Sequence, residues 1–315
     1  MIRAPLATIA LLSACGTAEL PEGPSAAAGP SAGAAIDHAT FLAELETWRQ
    51  ERDEGLRRDD GWLSLAGLYW LEPGVHRFGS AADNELVFPE SSSPPLLGEL
   101  TVGAGAVVVR AAPGVELTVA GEPAAEAELA SDADGDPTPV EHGSLLFYVV
   151  ARGDRLALRL KDRASPLLAS FPGMSYHPPD PAWRVVARFE PYDPPTTILV
   201  PNITGTPLEE TCPGRAVFEV DGQSYALEPT GLPGERLFFV FGDATNGKTT
   251  YGGGRFLYAD WPEDDAVVLD FNRAYNPPCV FTPWATCPLP PPQNRLPIAI
   301  AAGELTYVGS EAAAH

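Results

Sequence analysis

The stretch from Asp270 to Pro297 limits what this chain can fold into more than any other. It holds eight prolines, which fix the backbone dihedral φ and remove amide donors, so it can form neither a helix nor a central strand. Its large apolar side chains need burial, and they are Phe271, Tyr275, Phe281, Trp284 and Leu289. These two properties predict a long, ordered and well-packed loop, a kind of segment that often carries function.

Polar side chains accompany this loop and the glycine-rich stretch before it. Our candidate ligand-binding residues are Arg255, Asp270, Asn272, Arg273, Tyr275, Asn276, Asn294, Arg295 and Glu304. Burying an unpaired charge costs more than an apolar contact returns, so the charged members should pair with each other or with a bound molecule. Arg255 fits two roles: a structural ion pair with Asp270, or a planar receptor for a ligand carboxylate or phosphate.

The same loop carries Cys279 and Cys287, with seven residues between them. A disulfide is the first interpretation, because the N-terminus indicates export; two free thiols or a metal site are the alternatives. A metal site is not predicted, because no histidine lies nearby and the spacing is not a zinc signature. Cys212 is expected to be buried, and no cofactor is predicted.

The N-terminal residues 1–14 are typical of a secretory signal, with a positive start and a short apolar run. The sequence LSAC that ends at Cys15 resembles the bacterial lipobox, in which the cysteine is acylated and becomes the new N-terminus. An ordinary signal peptide with a chance cysteine is the alternative. Residues 15–36 are rich in Gly, Pro, Ser and Ala and predict a flexible tether. The predicted location is therefore the cell envelope, at the outer membrane if the host is Gram-negative.

The chain is strongly acidic. It has 20 Lys and Arg against 42 Asp and Glu, a formal net charge of −22 at pH 7. The phosphates of nucleic acid would repel such a surface, so no nucleic-acid partner is expected. The expected partners are a membrane, reached through the lipid on Cys15, and a small polar ligand.

Residues 37–60 predict an amphipathic helix that covers the edge or face of a sheet. Side chains on one helical face follow one another at intervals of four, three, four and four positions: Phe41, Leu45, Trp48, Arg52 and Leu56. Charged residues occupy the other faces. The helix is expected to begin at Asp37 or Thr40, either of which can cap its first turn.

Residues 61–165 alternate between short apolar runs and turns, which predicts an all-β sandwich. The stretch Arg77–Ser80, the Asp-Asn turn after it and the Gly-Asp-Arg turn at Gly153 resemble a forkhead-associated domain. The resemblance implies the sandwich fold. In that family an arginine that reads phosphothreonine follows the glycine, and Ser80 stands in that place here, so phosphopeptide binding is not implied.

Residues 166–310 continue the rhythm of strands and turns, with a typical hairpin turn at Asp221-Gly222. A last strand pair is predicted at Leu296–Ala301 and Glu304–Val308. The predicted fold class is therefore mainly β. An N-terminal helix precedes a forkhead-associated-like β-sandwich and a second antiparallel β-sandwich or barrel domain, which carries the long Pro-rich ordered loop and the site.

Long motifs add a family resemblance. They are GWLSLAGLYWL at Gly61–Leu71, RGDR at Arg152–Arg155, TYGGGRFLY at Thr250–Tyr258 and the Asp270–Pro297 loop. With these motifs the chain resembles, from Trp48 to about Gly303, the bacterial and archaeal family called domain of unknown function 1684. No reaction is assigned to that family, so the resemblance implies only that its recurring residues include the polar set above.

Three functions remain open on the sequence. The first is an envelope lipoprotein that binds a small polar or sugar-like ligand in the C-terminal domain. The second is an envelope hydrolase that uses the same polar cluster, and the third is a structural or protein-interaction lipoprotein. Paired carboxylates for glycoside hydrolysis could come from Asp243, Asp260, Asp270 and Glu304, but no Gly-x-Ser-x-Gly motif exists. Ligand binding ranks first because no complete catalytic set is visible, and whether the chain is an enzyme stays open.

Overall fold

The computed structural model describes residues 36–103, 105–133 and 135–309. The predicted signal peptide, the acylated Cys15 and nearly all of the tether lie outside these residues. Among the helices of the described part of the chain, none has an apolar stretch that could cross a membrane. The described chain forms two compact units, one of residues 67–160 and one of residues 36–66 together with residues 161–309.

The predicted N-terminal helix is confirmed as α1, His38–Leu56. Asp37 caps it, because its carboxylate accepts hydrogen bonds from two first-turn amides at 3.0 and 3.1 Å that have no partner inside the helix. The side chains that the helix buries are Phe41, Leu45 and Leu56. A second, short helix, α2, spans Pro166–Ser170.

The first unit consists of two β-sheets. Its strands are β1 Leu65–Leu71, β2 Gly74–Gly79, β3 Leu86–Val87, β4 Gly98–Val102, β5 Val107–Ala111, β6 Leu117–Val119, β7 Glu122–Ala124, β8 Glu126–Leu129, β9 Val140–His142, β10 Leu145–Arg152 and β11 Arg155–Asp162. The start of β1 and the end of β11 extend slightly beyond the range 67–160. One sheet has the order β1-β11-β10-β9-β6-β7 and the other the order β3-β2-β4-β5-β8. In the second of these sheets β2 and β3 pair in parallel and the remaining pairs are antiparallel.

Aromatic side chains fill the interior of the first unit. Phe78 of β2 contacts Phe147 of β10, with ring centroids 5.4 Å apart, and both rings pack on Phe88. Because Phe78 and Phe147 come from different sheets, the two sheets share one apolar core. The mainly β prediction is confirmed for this unit, and the likeness to a forkhead-associated domain stays a prediction.

The second unit carries α1 and two open sheets. Its strands are β12 Arg184–Val200, β13 Leu208–Val220, β14 Gln223–Leu227, β15 Leu237–Phe241, β16 Arg255–Ala259 and β17 Ala266–Asp270. They form a four-stranded sheet of order β14-β13-β12-β17 and the hairpin β15-β16. Residues 61–66 and 161–165 belong to this unit, so its boundaries differ by a few residues from the predicted ones. Within this unit, the side chain of Lys161 donates to the carbonyl of Asp60 at 2.6 Å and so connects its two chain segments, 36–66 and 161–309.

The Pro-rich segment is ordered, as predicted, and forms no strand. Short 3-10 turns at Phe271–Arg273, Pro278–Val280 and Pro292–Asn294 divide it. Phe271 and Phe281 are buried, whereas Trp284 remains 38% exposed. The prolines and these buried aromatic anchors therefore contribute to folding the segment onto the sheets.

The predicted strand pair at Leu296–Ala301 and Glu304–Val308 is wrong, because the amides of these segments bond to loops and side chains. The Ile300 amide donates to the carboxylate of Asp243 at 3.3 Å. The Glu304 amide donates to the carbonyl of Ala274 at 2.8 Å. The alternation of apolar residues in these two segments indicates extended backbone. Their amides, however, do not bond to a neighbouring strand.

Candidate functional site

Among the described residues of the second unit, Asp243 and Arg255 form the most deeply buried ion pair. Their Oδ2 and Nη2 atoms are 2.6 Å apart and both side chains are fully buried. The pairing of Phe241 with Arg255 in the β15-β16 hairpin brings the two together. Arg255 also donates to the carbonyl of Ile300 at 3.0 Å and to that of Ala302. Burial lowers the pKa of Arg255, and the charge of Asp243 opposes this shift.

Arg255 therefore pairs with Asp243 rather than with Asp270. Asp270 ends β17 and turns back onto its own loop, where its Oδ1 accepts from the Asn272 amide at 3.1 Å and from Asn272 Nδ2 at 3.0 Å. Its Oδ2 lies 3.5 Å from Arg273 Nε. Burial raises the pKa of Asp270, although Asn272 and Arg273 act in the opposite direction. The expected contact between an arginine and a carboxylate of the loop is thus present.

A second buried ion pair ties α1 to the loop. Arg52 Nε is 2.8 Å from Glu304 Oε1, and the Glu304 side chain is fully buried. The other oxygen of Glu304 accepts from the Asn276 amide at 2.7 Å, while Arg52 donates to the Asn276 carbonyl at 3.1 Å. On the same helix Glu44 lies 3.3 Å from Arg273. Three candidate residues, Arg273, Asn276 and Glu304, therefore bind α1 to the Pro-rich loop and the segment that follows it.

Tyr275 packs among aromatic rings. Its ring lies edge-on to Phe256, with centroids 5.7 Å apart, and stacks on Tyr258 at 6.3 Å. The guanidinium of Arg52 lies 4.6 Å from the ring centroid. Burial raises the pKa of Tyr275 well above its ordinary value, so the phenol stays neutral at physiological pH.

The two remaining candidates differ in environment. Asn294 is buried and serves the backbone: it accepts from the Glu228 amide at 2.8 Å and donates to the carbonyls of Glu228 and Val240 at 2.8 and 3.0 Å. Its neighbour Arg295 is exposed. The expectation that all charged residues of the loop are partly buried therefore fails at Arg295, whose side chain faces solvent.

Arginines accompany the four acidic residues considered for acid–base chemistry. The pairs are Asp243 with Arg255, Asp260 with Arg236, Asp270 with Arg273, and Glu304 with Arg52. Glycoside hydrolysis needs two carboxylates that face each other across the substrate. Here each carboxylate faces a guanidinium instead, so this cluster offers ion pairs and loop contacts rather than an acid and a base.

Cys279 and Cys287 are buried free thiols, so the predicted disulfide is not formed in this structure. The Cys279 amide donates to Cys287 Sγ at 3.1 Å, and the two thiols are hydrogen-bonded to each other. The loop thus brings the two sulfurs into contact as thiols. Cys212 is buried, as expected. Across residues 36–309, as far as they are described, no three His, Cys, Asp or Glu side chains gather as a metal site would require.

A cleft of about 530 Å³ opens in the second unit, and no candidate residue from the sequence lines it. Its walls are five prolines, Phe189, Tyr192 and Trp261, with the carboxylates of Asp264 and Asp265 beside them. Sequence reasoning missed this cleft because its residues come from distant segments. The available signal was local: a Trp-Pro pair followed at once by three acidic residues in a turn.

The polar groups of the cleft are oriented by their neighbours. Tyr192 donates its hydroxyl to Glu228 at 2.7 Å, and burial together with this hydrogen bond raises the pKa of Tyr192 to about 12. Asp264 and Asp265 are exposed and take left-handed backbone conformations with φ of 47° and 59°. Within the described residues, neither carboxylate belongs to an ion pair of 4.0 Å or less. The cleft therefore joins aromatic surface to free hydrogen-bond acceptors.

Fold and site together define a mainly β protein whose second unit contains buried arginine–carboxylate pairs. Residues 169–305 match the family model described as "Protein of unknown function (DUF1684)". The chain belongs to this family, and the matched residues include two of the four motifs, Thr250–Tyr258 and the Asp270–Pro297 loop. The solution NMR structure of an uncharacterized protein of Haloarcula marismortui is similar to this chain, with 33% identity over 44% of this chain and 80% of that chain and a TM-score of 0.38. The comparison with curated proteins gives no match.

Proposed function

We propose that this protein is a lipid-anchored protein of the cell envelope whose C-terminal unit binds a small polar or sugar-like ligand. The observation that carries the proposal is the cleft beside Tyr192 and Trp261, which combines aromatic walls with the carboxylates of Asp264 and Asp265. Ligand sites are commonly concave, largely apolar and furnished with a few polar groups that set orientation.

The chemistry of the cleft favours an uncharged, hydroxyl-rich ligand. An aromatic ring such as Trp261 offers a flat apolar face, on which the C–H face of a sugar ring can pack. Ionised carboxylates accept strong hydrogen bonds from hydroxyl groups. Anionic ligands are disfavoured because both local carboxylates and the net charge of −22 repel them. Arg255 does not serve such a ligand, since its side chain is fully buried and bonded to Asp243.

A panel of sugars tests the proposal. Glucose, galactose, N-acetylglucosamine and glucuronate are titrated into the full chain by calorimetry. We expect at least one neutral sugar to bind more tightly than glucuronate, and Trp261→Ala to weaken that binding about tenfold or more, because an aromatic stacking partner and its buried area are lost.

Trp284→Ala is the matched control, because Trp284 is a 38% exposed tryptophan of the same unit that does not line the cleft. It should bind the sugar like the parent chain. Equal loss of binding in both variants, or tighter binding of glucuronate than of any neutral sugar, would contradict the proposal.

A structural or protein-interaction role is the second candidate. It is supported by the polar candidate residues, because Asn294, Arg255 and Glu304 bond to backbone groups of the same unit: the Glu228 carbonyl, the Ile300 carbonyl and the Asn276 amide. The hydrolase alternative has less support, since the acidic residues of the cluster face arginines.

Anchoring has its own expected result. Cys15→Ser should move the protein from the membrane fraction to the soluble fraction after cell lysis, because acyl chains on this cysteine provide the proposed attachment. The matched control is Cys212→Ser, which removes a buried cysteine and should leave the protein with the membrane. Membrane association that survives Cys15→Ser would refute the lipid anchor.

A further inference from the structure

The sulfur of Cys279 lies in an unusual environment for a buried cysteine. The thiol of Cys287 and the hydroxyl of Tyr251 are both hydrogen-bonded to it. These hydrogen bonds lower the pKa of the Cys279 thiol, with that of Cys287 the largest cause, although burial opposes them. The contrast is Cys212, where burial raises the pKa to about 11. The environment of Cys279 therefore favours the nucleophilic thiolate, whereas the environment of Cys212 favours the inert thiol.

The position of the pair also distinguishes it from an ordinary core cysteine. Both sulfurs belong to an apolar cluster with Leu65 and Phe256, and each cysteine is 3% exposed. Tyr251, which contacts Cys279, is itself only half-buried. The dithiol is therefore covered in part by a side chain that is itself in contact with solvent.

We propose that Cys279 and Cys287 form a redox-active dithiol that closes to a disulfide by exchange with a low-molecular-weight disulfide. Cys279 is the attacking thiolate and Cys287 the resolving thiol. The geometric support is the contact of the pair, since the Cys279 amide donates to Cys287 Sγ at 3.1 Å, and Tyr251, which packs against this cluster and is hydrogen-bonded to Cys279, distinguishes the two cysteines. This chemistry is independent of the sugar cleft, whose lining contains neither cysteine.

The exchange proceeds in two balanced steps. Cys279 thiolate attacks one sulfur of the reagent, so that a mixed disulfide forms, the S–S bond of the reagent breaks and one thiolate leaves and takes up a proton. Cys287, after losing its proton, attacks the sulfur of Cys279. The Cys279–Cys287 bond forms and the second thiol of the reagent leaves. The two cysteines lose two electrons in total, and the reagent gains them as it becomes two thiols.

Closure should stiffen the Pro-rich loop. The bond would join the two ends of residues 279–287, a ring that already contains Pro283. A cross-link removes conformational freedom from the unfolded chain, so the second unit should melt at higher temperature once the bond has formed. For a loop and a unit of this size we expect a rise of roughly 5 °C.

The test uses the full chain with Cys15→Ser, so that the cysteines of the folded part are the thiols counted. The reduced protein is incubated with oxidised glutathione and then mapped by mass spectrometry. We expect a Cys279–Cys287 cross-link, loss of two of the three remaining thiols and the rise in melting temperature. Cys212→Ser should give the same cross-link, whereas Cys279→Ser and Cys287→Ser should give none and no rise.

Tyr251→Phe tests whether the hydrogen bond to Cys279, and not burial alone, controls the reactivity of this thiol. Loss of the phenol donor should shift the pH profile of the exchange rate to higher pH, because the Cys279 thiolate loses a hydrogen bond. The proposal is overturned if the folded protein keeps all three thiols while its urea-unfolded form reacts. It is also overturned if the folded protein stops at a glutathione adduct without closing the bond.

Discussion

Replacement of Asp243 by alanine is expected to lower the free energy of unfolding of the second unit by about 3–5 kcal/mol. The reason is the enclosure of Arg255: without Asp243 its charge stays fully buried with only carbonyl partners. Unfolding in urea can be followed by tryptophan fluorescence, because Trp48, Trp62, Trp183, Trp261 and Trp284 all belong to this unit.

A surface pair supplies the matched control. Arg58 and Asp60 are 2.8 Å apart, close to the 2.6 Å of the buried pair, but their side chains are 62% and 41% exposed. Arg58→Ala should therefore change the free energy of unfolding by less than about 1 kcal/mol. In the double variant Asp243→Leu with Arg255→Met, the loss should be smaller than the sum of the two single losses, because no unpaired charge remains buried. Additive losses, or similar losses for Asp243→Ala and Arg58→Ala, would show that the buried pair is not what holds the unit together.

Gly254→Ala should be among the most damaging single-methyl additions in this unit, with a loss of about 2–5 kcal/mol. Gly254 has φ of +92°, a conformation in which a side chain is strained. An added Cβ would also meet the ring of Pro290 and lie 2.7 Å from the carbonyl oxygen of Phe241. The backbone contact cannot be relieved by turning a side chain, so the strand or the Pro-rich loop must shift.

Gly247→Ala separates the two causes. Gly247 also has positive φ, +74°, but nothing lies within 4 Å of the added Cβ. The free energy of unfolding of Gly247→Ala should fall only by the cost of backbone strain, about 1–2 kcal/mol, in the same urea experiment. If Gly247→Ala and Gly254→Ala cost the same, close packing of the glycine-rich stretch against the loop is not what requires glycine at position 254.

The elements that could be predicted from sequence are those whose signal is local. The spacing of Phe41, Leu45 and Leu56 predicts α1, because a helix is defined by residues a few positions apart. Proline chemistry predicts that the 270–297 segment is an ordered loop rather than a helix. The strand pair at 296–308 was mispredicted because an apolar pattern indicates extended backbone but does not reveal where its amides bond.

The site was harder to predict because its partners are distant in sequence. The polar residues of the loop were identified correctly as charges that need partners, and Asp270 with Arg273 meets that expectation. Of the two roles expected for Arg255, the structure shows an ion pair, but with Asp243 instead of Asp270, because the β15-β16 register sets its position. The cleft was missed entirely. Tyr192, Pro213 and Trp261 lie on different segments, and only the folded chain brings them to one place.

The polar residues of the loop are a structural frame, and we propose that the ligand binds in the Tyr192–Trp261 cleft. A ¹H–¹⁵N NMR titration with the sugar that binds most tightly in the panel tests it most directly, because each tryptophan gives its own indole N–H signal. We predict that the Trp261 signal shifts with saturation, while the indole signal of Trp284 and the side-chain Nε–H signals of Arg255 and Arg273 stay in place. Shifts of the two arginine signals with an unmoved Trp261 would contradict the account and return the ligand to the polar cluster.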